Sequence, residues 1–64
     1  MIEFWEVQRP RGKVLYGIRQ KAKKAKYWDP GFNKWWPSMV SSDSVREIGL
    51  QVTPPQNVID AFPR

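Results

Sequence analysis

The chain of 64 residues contains no cysteine and no histidine. The missing cysteines exclude disulfide bonds and thiolate metal sites. The missing histidines remove the commonest metal ligand and the usual general base at neutral pH. Only six acidic residues are scattered along the chain, and no glycine-rich phosphate loop is present. We therefore predict a protein that is not an enzyme, has no catalytic residues and uses no metal or cofactor.

Long apolar segments are also missing. No stretch approaches the ~20 apolar residues that cross a bilayer, and the acidic start MIEFWEVQ is not typical of a signal peptide. These features, with the absence of cysteine, favour a cytoplasmic protein without a membrane partner. The length predicts a single small domain over 1–64 with a marginal core. The four Trp, three Phe and two Tyr must supply much of that core.

Acidic residues are nearly absent from one part of the chain. The net charge is +5, but residues 9–34 carry nine basic residues against a single acid, Asp29. The other residues together carry more acids than bases. Such a segregated basic segment predicts an anionic partner, which is a nucleic acid, an acidic protein surface or lipid headgroups.

Two turn motifs predict two β-hairpins. The motif RPRG at 9–12 has the proline and glycine spacing of a type I turn followed by a bulge, and it joins the β-favouring segments 2–8 and 13–20. The motif DPGF at 29–32 predicts a type II turn with a positive φ at Gly31. A strand entered through a basic loop precedes it, and Pro37 is expected to end the strand that follows. A short helix over the lysines is the weaker alternative, because it has no apolar face.

The C-terminal part is less clearly patterned. Residues 38–44 look like a polar connector. Over 44–52 the alternation of apolar residues favours a strand, although Ser44 and Glu47 form a possible capping box and fit a helix. Residues 53–62 predict a short helix capped by Thr53, with an apolar face formed by Val58, Ile59 and Phe62.

These elements predict a mostly-β fold. About five short strands form a small twisted or curled antiparallel sheet, like an SH3-like or OB-like barrel, with a short C-terminal helix. The alternative is an α+β fold with a β-hairpin start and two C-terminal helices. A helix-turn-helix over 41–62 is a weaker interpretation, because its second helix offers no cation before Arg64.

The main functional hypothesis comes from residues 21–36, KAKKAKYWDPGFNKWW, which combine five lysines with five aromatic rings. Cations neutralise phosphates and rings stack on bases, so this composition indicates binding to DNA or RNA. The predicted nucleic-acid contacts are the basic and aromatic residues of this part of the chain: Arg9, Arg11, Lys13, Arg19, Lys21, Lys23, Lys24, Lys26, Lys34, Tyr27, Trp28, Trp35 and Trp36. Neighbouring rings on a strand point to opposite faces, so one ring of each adjacent pair is expected in the core.

Three other interpretations of the same residues stay open. In the first, the rings form the core while the lysines form only a solvated face. In the second, the chain is a protein-interaction module, such as a small phage-type inhibitor or adaptor that docks on an acidic protein surface. A homodimer could bury the excess rings between subunits.

Overall fold

A computed structural model describes all 64 residues, and its strands form one antiparallel sheet. The elements in chain order are β1 (Ile2–Arg9), β2 (Gly12–Arg19), β3 (Lys24–Asp29), β4 (Lys34–Ser41), α1 (Ser42–Ile48), β5 (Leu50–Gln51) and α2 (Gln56–Asp60). The strand order is β4-β3-β2-β1-β5. This confirms the mostly-β prediction of five strands and a C-terminal helix. The sheet is open, with β4 and β5 at its edges, and a second helix lies between them in sequence.

The first hairpin has the predicted form. Strands β1 and β2 pair along their whole length, from Ile2 opposite Arg19 to Arg9 opposite Gly12. Gly12 has φ 125°, a conformation that glycine adopts without the penalty a side chain brings. It occupies the fourth position of the turn, where the bulge pattern requires it.

The second hairpin forms, but its turn differs from the predicted one. Asp29 pairs with Lys34, which leaves a loop of residues 30–33. The positive φ of this loop, 51°, belongs to Asn33 and not to Gly31, so the type II prediction is wrong. The physical reason is the Asp29 carboxylate, which accepts the backbone N–H of Gly31 at 2.9 Å and that of Phe32 at 3.3 Å. This side-chain turn bends the loop by itself, and asparagine tolerates the left-handed conformation that closes it.

Strand β4 continues beyond the proline that was expected to end it. Pro37 lies within the strand opposite Lys26, and β4 runs on to Ser41. Because β4 is an edge strand, the missing N–H of proline costs no hydrogen bond inside the sheet. The prediction of a connector over 38–44 is corrected in the same way. Its first half is strand, and its second half begins a helix.

Helix α1 replaces most of the strand that was favoured over 44–52; only Leu50–Gln51 is a strand there. The helix begins before the predicted capping box, because the Ser41 side chain accepts the backbone N–H of Ser44 at 3.1 Å. Its one large apolar contact is Val45, which is fully buried. Packing of this side chain on the sheet outweighs the strand-like alternation.

The two helices cover opposite faces of the sheet. On the face covered by α1, called the α1 face, the core consists of Val7, Tyr16, Ile18, Ala25 and Val45. On the other face, called the α2 face, it consists of Phe4, Trp35, Val58 and Phe62. Helices on opposite faces do not form a helix-turn-helix, so that interpretation is wrong. Neither helix has the length and apolar character needed to cross a bilayer.

The C-terminal helix is present but shorter than predicted, because it spans only Gln56–Asp60 and Phe62 of the predicted apolar face lies beyond its end. Val58 and Phe62 are buried and Ile59 is half-buried. The predicted cap is wrong, because the residue before the helix is Pro55 and no side chain caps it. Thr53 is exposed and precedes the helix by three residues. Packing on the sheet holds this five-residue helix in place of a capping bond.

Candidate nucleic-acid interface

The register of the sheet sorts the predicted ring contacts onto two faces. Tyr27 pairs with Tyr16 on one side and with Trp36 on the other, so all three lie on the α1 face. Trp28 pairs with Trp35, and both lie on the α2 face. The expectation that adjacent rings point in opposite directions is therefore confirmed.

Trp35 belongs to the core of the α2 face. Its side chain is 4% exposed, and its indole N–H donates to the Val58 carbonyl at 2.9 Å. Its ring centroid lies 5.0 Å from that of Phe62 and 5.4 Å from that of Trp28, which is itself half-buried. A ring enclosed in this way offers no face to a base, so we remove Trp35 from the predicted stacking set.

Tyr27 and Trp36 are the accessible pair. They lie directly opposite each other on β3 and β4, with Tyr27 36% exposed and Trp36 half-buried. Phe32, from the connecting loop, is 77% exposed and meets Trp36 edge-on, with the centroids 6.4 Å apart. Together with Lys34, these residues form what we call the hairpin patch: Tyr27, Phe32, Lys34 and Trp36.

Phe32 is absent from the contacts predicted above. A signal for it does exist in the sequence. It stands in a turn between Gly31 and Asn33, where no neighbouring strand can cover a large apolar side chain. An apolar ring in such a turn is a candidate for contact with a partner.

Trp36 is held in one orientation by two charged neighbours. Its indole N–H donates to the Asp29 carboxylate at 3.1 Å. The Lys34 amine lies 4.2 Å from the ring centroid, within the range of a cation–π interaction. The same Asp29 carboxylate organises the loop that carries Phe32. The hairpin patch therefore presents its rings and its cation together, in an arrangement that the fold sets in advance.

Further cations lie on the α1 face at both ends of the sheet. Near the hairpin turns, the Arg9 guanidinium lies 5.8 Å from the Tyr16 ring centroid and donates to the Tyr16 hydroxyl at 3.1 Å. At the opposite end, Lys21 and Lys23 line a groove beside the start of α1. Arg11 is exposed in the turn of the first hairpin.

The remaining predicted cations do not share this surface. On the α2 face, Lys13 forms an ion pair with Glu6 at 3.6 Å. Arg19 donates to the Pro63 carbonyl and lies 5.6 Å from the Phe62 ring centroid. The half-buried Lys26 lies on the α2 face as well, and Lys24 reaches the outer edge of β4, where its amine is 3.9 Å from the Met39 sulfur.

The strongest ionic contact attaches α1 to β1, beside the half-buried Trp5. The Glu3 carboxylate accepts two bonds from Arg46, at 2.9 and 3.0 Å, and one from the Trp5 indole at 2.9 Å. The bonds from Arg46, followed by the bond from Trp5, hold the pKa of Glu3 below its usual value. The same bonds to Glu3 raise the pKa of Arg46. This cluster has a structural role, since it fixes the helix to the sheet.

The structure brings together no group of three or more carboxylate, histidine or cysteine side chains that could hold a metal ion. Comparison with protein-family models, curated proteins and solved structures finds no match to this chain. The geometry and charge of its own surface therefore carry the proposal that follows.

Proposed function

We propose that the protein is a small, basic, non-enzymatic module of the cytoplasm that binds nucleic acid, DNA or RNA, through its α1 face. One observation carries the proposal: Tyr27 and Trp36 are accessible side by side on the same face as the cations Arg9 and Lys34. Proteins bind an accessible strand of nucleic acid with cations that contact its phosphates and rings that stack on its bases.

The charge distribution supports the same surface. Arg9 and Lys34 lie near the hairpin turns at one end of the α1 face, and Lys21 and Lys23 lie at the other. Lysine and arginine bind phosphates without selecting a sequence. The module is therefore expected to bind many sequences, with an affinity that depends strongly on salt concentration.

The first test is a titration of the protein with a fluorescent oligonucleotide of about 20 nucleotides, followed by anisotropy at several salt concentrations. Contact with about four phosphates predicts a slope of about −3 to −4 when the logarithm of the association constant is plotted against that of the salt concentration. If no binding is measurable at ~50 mM salt, the proposed function is wrong.

A matched pair of double variants tests which face binds. Lys23→Gln with Lys34→Gln removes two charges from the α1 face, and Lys13→Gln with Lys26→Gln removes two from the α2 face. Each lowers the net charge by two from +5. We expect the first double variant to lose about tenfold or more in affinity and to have a shallower salt slope, while the second changes little. Equal losses would show that only net charge matters.

A second candidate function is docking on an acidic protein surface, and a separate observation favours it. Ile48 and Leu50 are 56% and 74% exposed, and they line a groove with Glu6, Gln8 and Lys13 at the β5 edge. Two exposed aliphatic side chains at a sheet edge offer an apolar contact to a partner. The positive charge of the chain would attract a partner whose surface is acidic. Leu50→Glu should then abolish capture of a protein partner from nuclease-treated lysate. The double variant of Lys23 and Lys34 should still capture this partner, because the contact does not depend on nucleic acid. Light scattering on the chain alone distinguishes a homodimer from a monomer of 7.6 kDa.

A further inference from the structure

We infer that the nucleic acid is single-stranded, and that Trp36 and Tyr27 stack on two unpaired bases. This inference rests on the proposed function and narrows it to a class of ligand. A duplex keeps its bases stacked inside and offers mainly phosphates to a flat sheet surface, whereas a single strand exposes the faces of its bases.

Tyr27 and Trp36 form a platform because they lie beyond the part of the sheet on which α1 packs. Val45 of α1 packs in one cluster with Val7, Tyr16, Ile18 and Ala25, so the helix covers the start of β3 as well as β1 and β2. Nearer the loop of the second hairpin, Tyr27 and Trp36 lie next to each other on the same face, with Tyr27 36% exposed and Trp36 half-buried. Directly opposite residues in an antiparallel pair have Cβ atoms roughly 5 Å apart, so the two rings are close enough for neighbouring bases of one strand.

The hydrogen bond of Trp36 determines what this ring can recognise. Its N–H is engaged by Asp29 at 3.1 Å, so the indole offers its ring face and no free donor to a base edge. Stacking on a ring face accepts every base. The Lys34 amine, 4.2 Å from the same ring centroid, sits on a flexible stem and can move to a phosphate when a base arrives.

Cations lie at both ends of β3 and β4, on either side of the line from Tyr27 to Trp36 along which the stacked bases follow one another. Lys34 lies at the loop end of the ring pair, and Lys23 lies just before β3 at the other end. The length of β3, from Lys24 to Asp29, corresponds to about 17 Å at ~3.3 Å per residue. A single strand laid over Tyr27 and Trp36 therefore has a cation for its phosphates on either side of the stacked bases.

The test compares three ligands on the unmodified protein: a single-stranded oligonucleotide, the duplex of the same sequence, and an abasic oligonucleotide of the same length. We expect the single strand to bind at least tenfold more tightly than either of the others, and to quench tryptophan fluorescence when the abasic strand does not. Equal or tighter binding of the duplex overturns the inference and leaves the proposed function standing. Absence of binding to all three overturns both.

A second pair of variants locates the stacking. Trp36→Leu removes the ring from the hairpin patch, and the control Trp28→Leu makes the same change on the α2 face. We expect Trp36→Leu to lose about 5- to 100-fold in affinity for the single strand, and to bind the abasic strand as before. Trp28→Leu should match the unmodified protein under conditions where circular dichroism shows it to be folded. A loss shared equally by both variants, or no loss in Trp36→Leu, contradicts stacking on Trp36.

Discussion

Gly17 lies directly beneath the ring of Phe62 on the α2 face. A Cβ atom at this position would collide with Cε1 of Phe62, lie 2.9 Å from its Cδ1, and lie 3.1 Å from Cζ3 of Trp35. The C-terminal segment packs on the sheet because β2 presents no side chain at this point. Phe62 also contacts Phe4 edge-on, with the centroids 6.0 Å apart, so the glycine makes room for a ring that joins the aromatic cluster.

We predict that Gly17→Ala destabilises the protein by about 1–3 kcal/mol, because the new methyl group must displace Phe62. The free energy of unfolding is measured with urea and followed by tryptophan fluorescence. In the double variant Gly17→Ala with Phe62→Leu, the smaller side chain leaves room for the methyl group, so the two costs should not add. Costs that add fully would show that the collision is not the cause.

Two other glycines provide a comparison that tests the turn geometry. Gly12 has φ 125° with open space around its missing side chain, whereas Gly31 has no positive φ. We expect Gly12→Ala to cost about 1–2 kcal/mol through backbone strain alone. Gly31→Ala should cost less, because its Cβ meets only Asp29 Oδ1, at 3.2 Å. The substitution also lowers the conformational entropy of the unfolded chain, which favours the folded state. The free energy of unfolding of both variants is measured with urea. A larger loss for Gly31→Ala than for Gly12→Ala would contradict the observed turn and favour a type II turn.

The first hairpin could be predicted because its information is local. Alternating residues in 2–8 and 13–20 and the RPRG turn depend on near neighbours only, and both strands form. The continuation of β4 through Pro37 could not be predicted locally, because a proline is tolerated there only in an edge strand, and the edge position is a property of the whole sheet. Residues 44–48 became helical because Val45 finds a buried site on distant strands.

The candidate site could be predicted in part for the same reason. Strand alternation places Tyr27 and Trp36 on one face and Trp28 and Trp35 on the other, which needs only the hairpin register. Which of the two faces stays open depends on where α1 and α2 pack. The basic residues of the strands are divided between the two faces by the same alternation, and the composition of the segment does not show this division.

A pH titration tests the contact between α1 and β1. Glu3 has a lowered pKa in the folded protein, so its ionised form is held more strongly there than in the unfolded chain. Its contribution to stability is complete above the ordinary pKa of ~4.3 and is lost as the pH falls through the lowered folded value. Glu3→Gln should therefore be less stable than the unmodified protein near pH ~7, and the difference should shrink below pH ~4.

The control for this titration is Glu47→Gln. Glu47 is exposed on the same helix as Arg46 and belongs to none of the three ion pairs. Urea unfolding of both variants between about pH 2 and pH 7 gives the comparison. We expect the stability of Glu47→Gln to run parallel to that of the unmodified protein. A constant difference for Glu3→Gln over the whole range would contradict the ionic explanation.

Asp29 links the loop of the second hairpin to the orientation of Trp36, and two substitutions separate these roles. Asp29→Ala removes the acceptor for the loop N–H groups and for the Trp36 indole, so we expect a loss of about 1–2 kcal/mol in unfolding free energy. Asp29→Asn keeps one oxygen for the loop but places an amide, which cannot accept, where Oδ2 meets the indole. Its stability should stay closer to that of the unmodified protein.

The decisive measurement for Asp29→Asn is hydrogen exchange of the indole N–H groups by NMR. The Trp36 resonance should exchange faster with solvent once its acceptor is lost, because the ring is only half-buried. The Trp35 resonance is the internal control, since its N–H donates to the Val58 carbonyl within the core and should not change. Unchanged exchange at Trp36 would mean that Asp29 does not hold this ring. Faster exchange together with weaker single-strand binding would show that the orientation of the Trp36 ring matters for stacking. A ring that is free to turn must be ordered again when a base stacks on it, and this ordering lowers the affinity.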